Sequence, residues 1–233
     1  MIEYSICFPY CLRFNLLRNT LQSFREQYSY RRDYEVSIAV DPISKNEIPQ
    51  LIDLAKEYEE IPILIQTGEH RGISYLRNKS VNQSNGKYII HTSPEVLVNG
   101  DILSFCDDYF HLEPSAYLVF AVQNIDNNGK HLSWYQHSKY KNHMYHFLTA
   151  MSRETWLKTS GFYEEFDSGY AWDDNDYLGI IKSLGIKIIC IDEVWGSHQS
   201  HPHMPITNHR AMSLRNRRLF LKRENERRTR KII

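Results

Sequence analysis

Short runs of consecutive apolar residues alternate along this chain with stretches whose apolar positions recur every three or four residues. Residues 2–8 (IEYSICF) predict a buried strand ending at Pro9, and residues 12–24, with Leu16, Leu17 and Leu21 at helical spacing, predict a helix. Residues 34–40 (YEVSIAV) are β-branched and run straight into Asp41-Pro42, a turn. Residues 48–58 then read as helix, 61–66 as strand, 72–81 as helix, 87–91 as strand, 100–109 as helix and 116–122 as strand. Strands this continuously apolar are covered on both faces. The β-α-β-α order therefore predicts an α/β chain with a mostly parallel central sheet and helices on both sides. Beyond residue 122 the pattern loosens into a polar loop at 124–141, a segment at 150–158, an acidic stretch, a strand at 187–191 and a histidine-rich loop.

The acidic stretch, residues 160–176 (SGFYEEFDSGYAWDDND), is where chemistry concentrates. Asp173, Asp174 and Asp176 fall within four positions behind Trp172. The helix that follows carries Tyr177, Ile180, Ile181 and Leu184 on one face. One turn back along that face lie Asp173 and Asp174, so both are expected to point toward the packed side. A single Asp suffices to cap a helix and complement its dipole. Three beside a Trp suggest a functional cluster, with capping as the plainer alternative.

Open α/β sheets bind ligands past the C-terminal ends of their strands. Those ends carry Phe8-Pro9, Asp41, Gln66-Thr67-Gly68 and Thr92-Ser93-Pro94-Glu95. Asp41 before Pro42 also simply opens a turn. Arg77, beside Asn78 on a helix whose packed face holds Ile73, Leu76 and Val81, either meets a carboxylate or phosphate or snorkels to the surface. Glu95 is the acid nearest the end of the fourth strand, and hard cations take such oxygens. The loop with His198, His201 and His203 can add an imidazole, which suits Mn²⁺, or can remain a solvated loop; its spacing does not match a closed zinc site.

Composition narrows the class. The chain has 233 residues, 42% hydrophobic and 24% charged, enough for one large domain, or one domain with a tail. No apolar run approaches a membrane span, no signal-peptide pattern opens the chain, and the four cysteines show no metal pairing beyond a weak C-x3-C. A cytoplasmic protein with reduced thiols is expected. The formal net charge is zero but uneven, because from Arg210 onward Arg and Lys face only Glu224 and Glu226. Residues 208–233 are expected to form a basic amphipathic helix with Met212, Leu214, Leu219, Phe220 and Leu221 as its apolar positions. That helix would pack on the domain, join a partner, stay solvated, or lie on an anionic membrane at its inner face. Nucleic-acid binding is the weaker reading of its charge.

Several segments together resemble inverting family-2 nucleotide-sugar glycosyltransferases of the GT-A fold. SICFPYCLRFNLLRNTLQSF is similar to their opening strand and helix, and EVSIAVD to their second strand, whose terminal Asp, here Asp41, contacts the base. HRGISYLRNKSV resembles their G-x-x-x-A-R-N helix, with Leu76 in place of Ala. GKYIIHTSPEV resembles the strand leading to the D-x-D metal motif, and AMSRETWLKTSGFYEEF followed by YAWDDND resembles their G-G-F-D-E and W-E-D-x-D segments. The resemblance runs from about Ser5 to His203. It implies a single GT-A domain at 1–207, with a nucleotide-sugar-binding half at 1–98 and an acceptor half at 99–207. Phe8, Pro9, Arg13, Asp41, Gly68, Arg71, Arg77, Ser93, Pro94 and Glu95 would bind the donor, with uridine diphosphate its default nucleotide. Asp174 would be the catalytic base, Asp173 would assist it and bind acceptor with Trp172, and Glu95 with His198 would hold Mn²⁺ or Mg²⁺. The implied acceptor is a saccharide or a lipid-linked saccharide. The family's D-x-D is replaced by Ser93-Pro94-Glu95, which leaves two alternatives. Either basic residues such as Arg71 or Arg77 neutralise the diphosphate without metal, or the chain is a catalytically impaired nucleotide-sugar or glycan binding domain.

Overall fold

β1 (Tyr4–Tyr10) is buried at every residue, and the sheet grows outward from it on both sides. In this computed structural model, which describes residues 2–70, 72–202 and 207–230, β1 pairs in parallel with β2 (Tyr34–Val40) and β4 (Tyr88–His91). β3 (Ile63–Thr67) lies parallel outside β2. Beyond β4 come β8 (Thr149–Ser152), β6 (Tyr117–Ile125), β9 (Ile188–Gln199) and β5 (Val96–Asn99), while β7 (His131–Gln136) takes the far end of β6. β8 runs antiparallel to both neighbours, β9 runs parallel to β6, and β5 and β7 run antiparallel to theirs. β1 to β4, β6 and β9 thus share one direction, and only β5, β7 and β8 oppose it.

Side-chain alternation splits the core into two layers. Tyr4, Ile6, Phe8, Leu118 and Phe120 face α1 (Phe14–Gln27), α2 (Ile48–Glu57) and α4 (Ile102–Leu112), meeting Leu17, Leu21, Leu51, Leu54 and Phe110. Cys7, Ile89, Tyr117, Val119 and Met151 face α3 (Ile73–Asn82), α5 (Arg153–Thr159) and α6 (Asp173–Ser183), meeting Val81, Trp156, Tyr177 and Ile181. Each such fully buried aliphatic or aromatic side chain stabilises the fold by about 1.5–3 kcal/mol. Helices therefore cover both faces, as the continuous apolar strands require.

The departures from the sequence pattern have local causes. β1 does not stop at Pro9. It runs to Tyr10, because its pairing with β4 ends at Cys7 and the proline sits where no ladder bond is required of its nitrogen. β7 forms inside the expected loop at 124–141 from a half-exposed HLSWYQ, whose alternation of Leu132 and Trp134 with His131 and Ser133 is short and set among polar residues. β9 continues past the expected end at Ile191 after a register jump opposite Phe120 and Ala121, which leaves residues 192–194 outside the ladder and carries the strand on to His198. The expected division at residue 98 falls inside β5.

The C-terminal helix, α7 (His209–Arg230), is present. Its main contacts with the body are polar, through Arg215, Asn216, Arg223 and Arg227, while Leu214 and Leu221 stay half exposed. Of the apolar positions read from the sequence, Leu214 and Leu221 thus face away, while Met212 reaches the lining of a cavity and Phe220 packs on Trp172. No described helix is long and apolar enough to cross a membrane.

Candidate active site

At the C-terminal ends of β1, β2 and β4 lies a cleft of about 540 Å³. Pro9, Arg13, Asp41, Arg77, Ser93, Pro94 and Glu95 all line it. Asp41, 5% exposed, accepts a hydrogen bond from the Ile43 amide at 2.9 Å, so it both caps the turn and faces the cleft. A second cavity of about 420 Å³ adjoins the first, sharing Ile73, Arg77 and Asp167 with it, and its far wall holds Asp173 and Asp174. Arg77 stands at the junction. Its Nη1 donates to Asp173 Oδ2 at 3.0 Å, and its guanidinium lies over the Phe162 ring. Nearly buried, it meets a carboxylate, one of the alternatives its position in the sequence left open.

Asp174 begins a helix yet caps nothing. The residue at the cap position is Trp172, without a side-chain cap bond. Asp174 Oδ1 lies 3.0 Å from His146 Nε2, and burial pushes the Asp174 carboxyl up to about 7, Asp173's charge adding to the rise and Arg77 opposing it. Burial, with Arg77 adding, holds His146 well below the ordinary imidazole range, so the ring is neutral. A neutral imidazole brings no positive charge to Asp174, so nothing on that side opposes the rise that burial causes. His146, Asp173 and Asp174 also offer ligand atoms close enough for a cation, but the Arg77 guanidinium already compensates Asp173 there.

A second set of donors converges at the other end of the cleft. Glu95 Oε1 lies 4.0 Å from His198 Nε2 and 3.8 Å from His201 Nε2, and the two Nε2 atoms are 3.3 Å apart. His201 Nδ1 is 3.0 Å from the Pro202 carbonyl oxygen and His198 Nδ1 is 3.0 Å from Asn124 Oδ1. Acceptors at Nδ1 place the ring proton there and leave Nε2 as the basic nitrogen of each ring, turned toward Glu95. One carboxylate and two imidazoles oriented in this way fit Mn²⁺ better than Mg²⁺. The loop is held over Glu95 by α1. Asn19 donates to Gln199 Oε1, and Gln199 Nε2 donates to the Leu16 carbonyl.

The entry to α6 is strained. Ala171 and Trp172 have φ of 57° and 75°, left-handed values that side chains other than glycine avoid. α7 holds them. Asn216 Nδ2 donates to the carbonyls of Phe166 and Ala171, both at 2.8 Å, and Trp172 Nε1 donates to Ser213 Oγ at 3.3 Å. Asp176, the third acid of the cluster, turns away from the cavity, and Arg223 and Arg227 hold its carboxylate. It anchors α7 instead of serving the site.

Three other expected positions need correction. Phe8 is fully buried in the core layer beneath the cleft, because the strand continues past it. Gly68 donates its amide to Val40 and packs where a Cβ would strike Leu76, so it permits close packing and does not line the cleft. Trp172, expected at the acceptor, lays its ring against Phe220 of α7 and lines neither cavity. Arg71 and His203 lie outside the described residues.

Sequence reasoning missed His146 and Asp167 and preferred His198 to His201. His146 sits in an aperiodic run (KNHMYHF) with nothing to distinguish it from His137 or His143. Asp167 reads as part of a turn. In the structure it caps α3 across the fold, accepting from the Ser74 and Tyr75 amides at 2.8 and 2.9 Å, and it lines both cavities. Asn78, next to Arg77, exchanges hydrogen bonds with the amide and carbonyl of Phe162, tying α3 to the segment before the acids. Gly161 in that segment has φ 75°, and a Cβ on it would lie 2.6 Å from Asn78 Oδ1. Gly161→Ala should therefore cost about 1–3 kcal/mol in urea denaturation. An unchanged midpoint would mean that the loop tolerates the shift.

The sequence model described as Glycosyl transferase family 2 matches residues 5–165. No curated protein sequence matches the chain. Among solved structures, S. aureus TarS 1-349 in complex with UDP is similar over 86% of this chain and 61% of its own, at TM-score 0.68 and 15% identity. The mannosyltransferase PcManGT from Pyrobaculum calidifontis, in complex with GDP-Man and Mn²⁺, is similar over 98% of this chain and 64% of its own, at TM-score 0.66 and 15% identity. GalNAc-T7 with UDP, GalNAc and Mn²⁺ is similar over 86% of this chain and 44% of its own, at TM-score 0.69 and 14% identity. The chain thus spans less than two thirds of the length of each of these proteins. At such identities the likeness is one of fold, the GT-A fold.

Proposed function

Because the chain belongs to glycosyl transferase family 2, we propose that it moves a sugar from a nucleoside-diphosphate sugar to an acceptor hydroxyl by inverting single displacement, with Asp174 as the base. One observation carries the reading: Asp173 and Asp174 line a cavity that opens at Arg77 into a cleft whose wall includes Glu95 of a cation-type donor set. An ordinary Asp is too weak a base at neutral pH, and burial beside Asp173 corrects that.

In this scheme the donor lies across the strand ends, with Asp41 toward the base and Arg77 at the junction of the two cavities. The acceptor hydroxyl enters the second cavity and donates a hydrogen bond to Asp174, with Asp173 helping to orient it. As the oxygen attacks the anomeric carbon, its proton passes to Asp174 and the bond to the diphosphate breaks, its electron pair leaving with the phosphate oxygen. Glu95, His198 and His201 would hold Mn²⁺ or Mg²⁺. When bound, the ion supplies positive charge to the departing diphosphate. Uridine diphosphate is the default donor group, and a saccharide or lipid-linked saccharide is the proposed acceptor.

The test is to incubate the purified chain with UDP- and GDP-linked sugars and Mn²⁺, following nucleoside diphosphate release and the anomeric configuration of the product by NMR. Donors that bind but are neither hydrolysed nor transferred would replace this reading with that of a binding domain. For the cation, Mn²⁺ affinity measured calorimetrically in the presence of UDP should fall at least about tenfold in Glu95→Gln and in His198→Ala. Equal affinity in both variants would move the ion elsewhere or remove it from the scheme.

A further inference from the structure

A cavity of about 620 Å³ lies away from the cleft, where β7 and the residues looped out of β9 meet. Its walls include Trp134, His137, Tyr140, Gln123, Asp192 and Trp195. Strand register puts it on the opposite face of the sheet from the cation-type donors. Gln123 pairs with Ser197 and donates to its hydroxyl, whereas Asn124 pairs with His198 and meets its ring.

The rings form a braced platform. Trp134 and Tyr140 are nearly parallel, with centres 6.4 Å apart, and His137 packs against both at 4.4 and 4.6 Å. Residues 137 and 141 exchange two backbone hydrogen bonds of 3.0 Å that close the turn carrying Tyr140. The turn is tied to β9, because Asp192 accepts from the Ser138 amide at 3.1 Å and from its hydroxyl. Despite this bracing the platform faces water: Tyr140 is 63% exposed. The fold does not otherwise need an exposed tyrosine ring braced beside a half-buried tryptophan on an ordered hairpin.

We propose that this cavity is a second binding site for a neutral saccharide. Flat aromatic faces take the C–H side of a pyranose at little cost in side-chain freedom. Asp192, on the wall, can accept from a sugar hydroxyl beyond its two bonds to Ser138. The size suits a ligand of one or a few sugar rings. The lining has a carboxylate and neither Lys nor Arg, which disfavours a phosphate-bearing polymer; the nearest cation recorded at the platform is Lys139, its Nζ 5.4 Å from the centre of the Tyr140 ring. The site is independent of the role given to Asp174.

The test uses the full chain without nucleotide and titrates cellohexaose, xylohexaose, mannohexaose, chitohexaose and β-1,3-glucohexaose by calorimetry, with a hexauridylate control. At least one saccharide should bind, its affinity falling at least about tenfold in Trp134→Ala, and remaining unchanged in Asp174→Asn and in the presence of UDP. Should Trp134→Ala fail to fold by circular dichroism, Tyr140→Ala, at an exposed position, carries the same expectation. Absence of binding by all five saccharides, binding of hexauridylate in their place, or affinity that survives both ring variants while UDP competes would each overturn the proposal.

Discussion

Asp174→Asn is expected to lower turnover about 100-fold or more while leaving donor affinity nearly unchanged. Asparagine keeps the shape of the side chain and its place beside His146 but cannot take the acceptor's proton. Donor affinity should survive because Asp174 lines the second cavity and not the cleft where the nucleotide would lie. On the proposed function, the parent chain should gain activity with rising pH through about 7, where burial places this carboxyl. Stability should move the other way. A carboxyl raised in the folded state contributes stability that is fully present below its unfolded pKa, near 4, and lost as pH rises through 7. The asparagine variant should thus melt with the parent at low pH and above it at pH 8, the expected mark of a residue kept for activity at a cost in stability. Retained turnover would shift the role to Asp173 or end the scheme.

Asp176→Ala should be strongly damaging to the fold, at about 3–5 kcal/mol. The Asp176 side chain is 2% exposed and accepts from Arg223 Nε at 3.0 Å and Arg227 Nη1 at 2.6 Å. Removing it leaves two guanidinium groups facing a void between α6 and α7. Both are partly exposed and can turn toward water, which favours the lower end of that range. The loss is expected to be local first. Arg-rich α7 should become open to trypsin in native buffer, and activity should fall, because the same helix braces Ala171 and Trp172 ahead of Asp174. The triple variant Asp176→Leu, Arg223→Met, Arg227→Met should recover most of the stability, since apolar groups of similar volume often replace a buried ion pair without loss. Trypsin resistance and a normal denaturation midpoint in Asp176→Ala would show that α7 docks by other means.

The amino-acid order by itself determined the layered α/β class and the C-terminal edge of the sheet as the place to look, because an apolar run of five to seven residues has few ways to hide both faces. It also determined that acids, an arginine and a glutamate would stand along that edge, since strand and helix spacing decide which way a side chain leaves the backbone. Tertiary structure alone decided which of them meet. Asp173 pairs with Arg77 and Asp174 with His146, while Asp176, two residues further along, is taken by α7. His201 joins Glu95 only because a jump in register extends β9. The reason is range: periodicity reports one element's faces, whereas the partners of these groups come from 28 to 106 residues away along the chain. At that separation packing selects the neighbour, and local sequence carries no record of the choice.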